Sequence, residues 1–347
     1  MSDTNTTPEP RNVADIADIL SNEEKTWVQK LLGSQAFLVF LALIVAGIGL
    51  SLYTDSFATG RNFYNITRNA TFIAIIAIGM TFVIITGGID LSVGSMLFLS
   101  SVVCAKVMET GYGIEVGLLA ALATALVVGL INGTLISYLG YPPFVVTLAM
   151  MSIARSLGMV VSSNKTIAKF GPDQDTLFSI GGGSLIDFGW LSVPNPVLIT
   201  LIIAAIAGAI LKFTAYGKYV FAVGGNERAA MMTGVPVKNI KVSVYVLCAL
   251  SAGVCGIVRL AWGGAVSSND GVGLELLVIA ATVIGGANLA GGAGTIFGAL
   301  VGASLLEMIR NSLGLLGIGT NWQGTFIGTI ILVAITFERV KQYRSRS

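Results

Sequence analysis

The sequence predicts an all-α polytopic membrane protein, with about ten transmembrane helices, several of them broken at glycines, and one short helix on the cytoplasmic side. Three observations predict it. Of 347 residues, 54% are hydrophobic and 11% charged, against roughly 25% charged in a soluble domain, and mean hydropathy is +0.84. Apolar runs long enough to span a bilayer recur along the chain. The 43 glycines are too many for straight, isolated spans and fit close helix packing with local breaks.

A span takes ~20 apolar residues to cross ~30 Å of hydrocarbon. Runs that meet or approach this lie at 35–53, 70–86, 93–107, 116–139 and 144–161. They continue at 193–213, 242–262, 276–286, 294–309 and 322–336, the short 276–286 run being the weakest. Residues 1–34 are polar and acidic and read as a cytoplasmic arm, not a cleavable signal. Residues 35–337 form the membrane domain, and 338–347 a basic tail.

Loop charge sets the orientation. The 212–241 segment holds Lys212, Lys218, Arg228, Lys238 and Lys241 against Glu227, and the tail holds Arg339, Lys341, Arg344 and Arg346 against Glu338. Both are therefore expected to be cytoplasmic, and an even number of spans puts the N-terminus there too. The loops 54–69, 162–191 and 263–275 then face outward, Arg61 and Arg68 in the first running against the rule.

Composition excludes several functions. No basic stripe with interleaved aromatics appears, so nucleic acid is not a partner. Histidine is absent, which removes the commonest metal ligand and general base. Cys104, Cys248 and Cys255 sit in apolar runs with neither metal nor disulfide spacing. No nucleophile–base or paired-carboxylate arrangement is found, nor a Gly-rich phosphate loop ending in Lys-Ser/Thr. The chain is expected to be no enzyme, with no metal and no cofactor.

The loop 214–241 contains the most informative cytoplasmic stretch, GGNERAAMMTGVPVKNIK at 224–241. Asn226 is a good N-cap, Glu227 suits the positive helix start, and Gly234 before Pro236 ends the helix. A helix of two turns is marginal alone. Beside Arg228, the residues Ala229, Ala230, Met231 and Met232 offer a small adaptable apolar patch for a groove on another protein.

With four further stretches in the same order, this chain resembles the permease subunit of ribose-type ABC importers for monosaccharides. The stretches are AIGMTFVIITGGIDLSVGS (77–95), GLINGTLISYLGYPPFVVTLAMM (129–151), YVLCALSAGVCGIV (245–258) and VIGGANLAGGAGTIFGALVGA (283–303). The resemblance implies ten spans with both termini cytoplasmic in the bacterial inner membrane. It also implies a coupling helix over Asn226, Glu227, Arg228, Ala229, Ala230 and Gly234 docked on a cytoplasmic ATP-binding cassette subunit. An extracytoplasmic sugar-binding protein and a permease homodimer embedded in lipid complete the implied assembly. The acidic N-terminal arm departs from the family's pattern and is given no role.

Asp90 stands between two uncharged runs, behind Gly87 and Gly88. An unpaired carboxylate in lipid costs several kcal/mol, so it lines the sugar path, holds the turn by accepting from the Ser92 or Val93 N–H, or reaches cytoplasmic water. A turn role fits Asp-Leu-Ser at a helix start best. Ser92, Asn132 and Asn288 are the other candidate pathway residues. Residues 285–292 repeat the form of 87–94, Gly-Gly-x-Asp/Asn-Leu-x-x-Gly, either as paired helix breaks or as convergent punctuation. The alternative function is an ion-gradient-driven transporter of a small polar solute. That mechanism calls for an ionisable relay in mid-span, and the chain has few mid-span carboxylates and no histidine.

Overall fold

The computed structural model describes residues 34–189 and 192–319, together with 322, 324–326, 328–329 and 332. The helices are α1 Gln35–Tyr53, α2 Gly60–Ile85, α3 Val93–Glu109, α4 Ile114–Ser137 and α5 Pro143–Ser162. After them come α6 Gln174–Gly182, a two-residue-per-strand hairpin (β1 Ile186–Asp187, β2 Ser192–Val193), and α7 Asn195–Phe213. The chain continues with α8 Ala215–Gly225, α9 Glu227–Met232, α10 Val237–Gly263, α11 Leu274–Ile284 and α12 Ile296–Leu315.

The bundle is built around α2 and α10. From Ala70 to Ile85 every residue of α2 is buried, as expected of a helix apolar on all sides. The α10 helix packs on α4, α2 and α3. It meets α4 closely, where a Cβ on Gly129 or Gly133 would fall 2.7 Å from the Cα of Val246 or Val242. Only glycine lets these two backbones meet so closely. Asn62 and Asn311 exchange side-chain hydrogen bonds of 3.2 and 2.8 Å between α2 and α12. By contrast, α1 buries none of its residues and offers its apolar surface outward.

Among the described residues seven helices are long and apolar enough to cross a membrane, not ten. The apolar runs at 93–107 and 276–286 form helices of 17 and 11 residues, shorter than the seven because glycine turns follow them. Most of the expected 322–336 span, the arm 1–33 and the tail 338–347 lie outside the described residues. The expected outer loop 54–69 is also shorter, since α2 already begins at Gly60. Arg68 is thus a helix residue whose guanidinium lies 4.4 Å from the Trp262 ring centroid, a packed cation rather than a loop charge.

Candidate functional site

The break after α2 is a hydrogen-bonded unit. The α2 end closes with Gly87 N–H donating to Ile84 O and Gly88 N–H to Val83 O, and Gly87 takes φ +78°, a left-handed conformation that glycine adopts without strain. Asp90 Oδ1 then accepts from the Ser92 N–H at 2.8 Å and the Ser92 hydroxyl at 2.6 Å. The Ser92 hydroxyl in turn accepts from Asn132 Nδ2 on α4 at 3.1 Å. Asp90 and Asn132 have no exposure and Ser92 has 1%. The expected turn role for Asp90 is what the geometry shows, and its reaching cytoplasmic water is ruled out by its burial.

Three buried polar atoms in this unit have no hydrogen-bond partner: Asp90 Oδ2, Asn132 Oδ1 and Tyr245 Oη. The Tyr245 hydroxyl packs against Gly88, where a Cβ would strike it. Asn288 is not part of the unit. Its side chain is exposed and accepts from the Ala290 N–H at 2.9 Å, closing a turn of the same kind as Asp90 does.

The resemblance between 87–94 and 285–292 is therefore local. The α11 end closes with Gly286 N–H to Val283 O and Ala287 N–H to Thr282 O, as α2 does. Here, however, the second glycine of the pair, Gly286, takes positive φ (+100°), and the side-chain turn follows one residue sooner. The two breaks use one local solution with different spacing.

They also touch. Gly292 N–H donates to Ile85 O at 2.9 Å. Gly224, at the end of α8, lies between them: a Cβ there would run into Ile85 O and come 2.7 Å from Gly292 N. One residue after this junction α8 gives way to Asn226 and α9. Asn226 Oδ1 accepts from the Ala229 N–H at 3.0 Å, and Gly234 (φ +86°) closes the helix with Val235 N–H donating to Ala230 O. Both expected caps are in place, on a helix of six residues, Glu227–Met232. Glu227 pairs with Lys241 on α10 at 2.6 Å.

One expectation needs correcting. Ala230 is 4% exposed and packs into the bundle's own core, so it does not belong to the outward patch. Val235 folds back onto it, its N–H donating to Ala230 O, because the glycine turn reverses the chain. The outward face is Arg228, Ala229, Met231 and Met232, with Met232 89% exposed.

Other groups were less legible in the sequence. Arg259, Asp270, Glu307 and Arg310 line a polar cavity at the far end of α10. The Glu307–Arg310 pairing followed from their spacing, and their ion pair is 3.3 Å. That a loop and five helices converge around them did not. The junction at Gly224 was likewise hidden, since only contact across the fold distinguishes it from other glycines.

Asp90→Asn is expected to keep membrane levels and much of the uptake, whereas Asp90→Leu loses both. Asn retains the acceptor for Ser92, while Leu leaves buried donors unpaired at ~1–3 kcal/mol. Immunoblots of membranes beside uptake rates check this, and equal loss in both variants would point to a role for the charge itself.

Residues 62–335 match the family described as the branched-chain amino acid transport system / permease component. The chain belongs to this permease family. The permease is 36% identical to the ribose import permease protein RbsC of Escherichia coli, over 92% of its own length and 96% of the relative's. It is 34% identical to the L-arabinose ABC transporter permease protein AraH of Azospirillum brasilense, over 89% and 88%. It is also 34% identical to the D-allose transport system permease protein AlsC of Escherichia coli, over 86% and 90%. No solved structure matches. The permease is a multi-pass membrane transport component, not an enzyme.

Proposed function

We propose that the permease is the membrane-spanning subunit of an ATP-driven ABC importer that moves a monosaccharide, a ribose-like sugar or polyol, across the bacterial inner membrane. The observation that carries this is similarity along almost the whole chain to permeases named for three different monosaccharides. In this reading a cytoplasmic ATP-binding cassette subunit grips the outward face of α9, and an extracytoplasmic binding protein delivers the sugar. Both termini, with the arm 1–34 and the tail 338–347, are cytoplasmic. About ten crossings are reached if α3, α11 and the 322–336 segment each contribute, and two copies of the chain form the pathway.

The Asp90–Ser92–Asn132 unit becomes part of the sugar path when the break opens, its spare acceptors meeting sugar hydroxyls. An ion-driven mechanism is less favoured. Among the described residues Asp90 and Glu307 are the buried carboxylates. Asp90 follows the end of α2 and Glu307 lies on α12 beside Asn69, with no third buried carboxylate among the described residues to join them.

The test is uptake of labelled ribose, arabinose, allose, xylose, galactose, inositol and leucine into vesicles holding the permease, its ATPase and its binding protein. The expected result is ATP-dependent, vanadate-sensitive entry of one of the sugars or the polyol. Entry of leucine instead would move the substrate to the class in the family's description, and entry driven by a sodium or proton gradient without ATP would replace the importer reading. Native mass spectrometry of the same complex should find two permease copies, and a single copy beside two ATPase domains would refute the homodimer.

A further inference from the structure

We infer that the polar cavity at the far end of α10 is an outer receiving site for a neutral polyhydroxylated ligand, in which a monosaccharide is held before it reaches the Asp90 break. This rests on the proposed import of a monosaccharide and on the orientation that places α9 in the cytoplasm.

The cavity is about 360 Å³, within the range of roughly 300–1,000 Å³ typical of small-ligand sites. It lies among α2, α3, α10, α11 and α12 and the loop that joins α10 to α11. Arg259 is 22 residues along α10 from Val237, ~33 Å at the helical rise. The site is therefore across the membrane from α9, on the side where a binding protein releases its cargo.

Its lining is charged but balanced. Arg259 and Arg310 face Asp270 and Glu307, with Asn69 and Asn269 beside them. The pairs are loose: Arg259 Nη2 is 3.8 Å from Asp270 Oδ1 and Arg310 Nη1 is 3.3 Å from Glu307 Oε2. A guanidinium carries five N–H donors and a carboxylate about four lone-pair sites, so both pairs keep donors and acceptors to spare. Paired charges of both signs give a ligand of either net charge no excess of opposite charge to meet. A sugar hydroxyl, which both donates and accepts, fits beside them as they stand. Lipid tails offer such groups nothing.

The polar groups are also held in place. Arg155 Nη1 donates to the carbonyls of Ser268 and Asp270 at 3.1 and 2.7 Å, and Asp270 Oδ2 accepts from the Ser267 N–H at 2.8 Å. The Arg259 guanidinium lies 5.1 Å from the Phe72 ring centroid and 4.9 Å from that of Trp262. A rigid loop and a stacked cation leave little ordering for a ligand to impose. Weak binding suffices here, because an importer must pass its cargo on.

The experiment uses the permease–ATPase complex in vesicles, without binding protein. Asn269→Cys supplies an exposed thiol at the rim, the native Cys104, Cys248 and Cys255 being buried. A membrane-impermeant maleimide labels it with and without each sugar of the panel, and Phe188→Cys, on the exposed hairpin loop, serves as control. The transported sugar is expected to slow labelling of Asn269→Cys severalfold and saturably, without affecting Phe188→Cys. Glu307→Gln should shift half-protection severalfold to higher sugar. Uptake of a sugar that gives no protection at Asn269→Cys discards the site but keeps the importer. Protection by leucine or by chloride equal to that by sugar discards the ligand class. Saturable protection by a sugar that is not taken up keeps the site and discards the transport reading.

Discussion

Gly224→Ala is expected to abolish uptake, and Gly225→Ala to leave it intact. A methyl group on Gly224 would occupy the space of Ile85 O and approach Gly292 N to 2.7 Å, whereas one on Gly225 meets nothing within 4 Å. Replacing a helical glycine by alanine otherwise favours folding by roughly 0.5–1 kcal/mol. At Gly224 that gain is outweighed, since overpacking costs ~1–3 kcal/mol even where side chains yield, and here the obstructing atoms are backbone. The α8 end would have to move away from both breaks, parting the Gly292–Ile85 hydrogen bond. Thermal unfolding of the purified permease and ATP-driven uptake measure the two consequences. Equal behaviour of the two variants would show that the junction carries no weight in folding or transport.

Ala230→Arg and Met232→Arg, two residues apart on one short helix, are expected to fail for different reasons. Ala230 is 4% exposed and packed into the permease's own core. An arginine there buries an unpaired charge at a cost of several kcal/mol, so the variant should be scarce in membranes. Met232 is 89% exposed, and surface substitutions usually change stability by less than about 0.5 kcal/mol. Met232→Arg should therefore accumulate normally but lose co-purification with the ATPase, or bind it without sugar-stimulated hydrolysis. Normal membrane levels of Ala230→Arg would contradict its inward packing. Full coupling in Met232→Arg would contradict docking through the outward face of α9.

Local chemistry made α9 legible in the sequence. Asn226 and Gly234 each act on backbone groups within a few residues, so their spacing alone identifies the caps. Which face of α9 turns inward depends on how Gly234 returns the chain onto α10, and no local pattern encodes that. The same limit applies to Asp90. Its turn with Ser92 spans two residues and could be read directly, but its link through Ser92 to Asn132 joins positions 40 apart.

The sequence by itself determined the membrane class, the approximate positions of the long helices, the capped short helix α9 and the family resemblance, because these follow from composition, hydropathy and local motifs. The tertiary structure alone decided which apolar runs form only short helices, which candidate residues meet and which remain apart. It brought the two glycine breaks against Gly224, sealed Asp90 from water and collected Arg259, Asp270, Glu307 and Arg310 around one cavity. Hydropathy measures what a residue gains by leaving water. It carries no information about the partner met on arrival, and in this bundle the partners lie on helices distant in sequence.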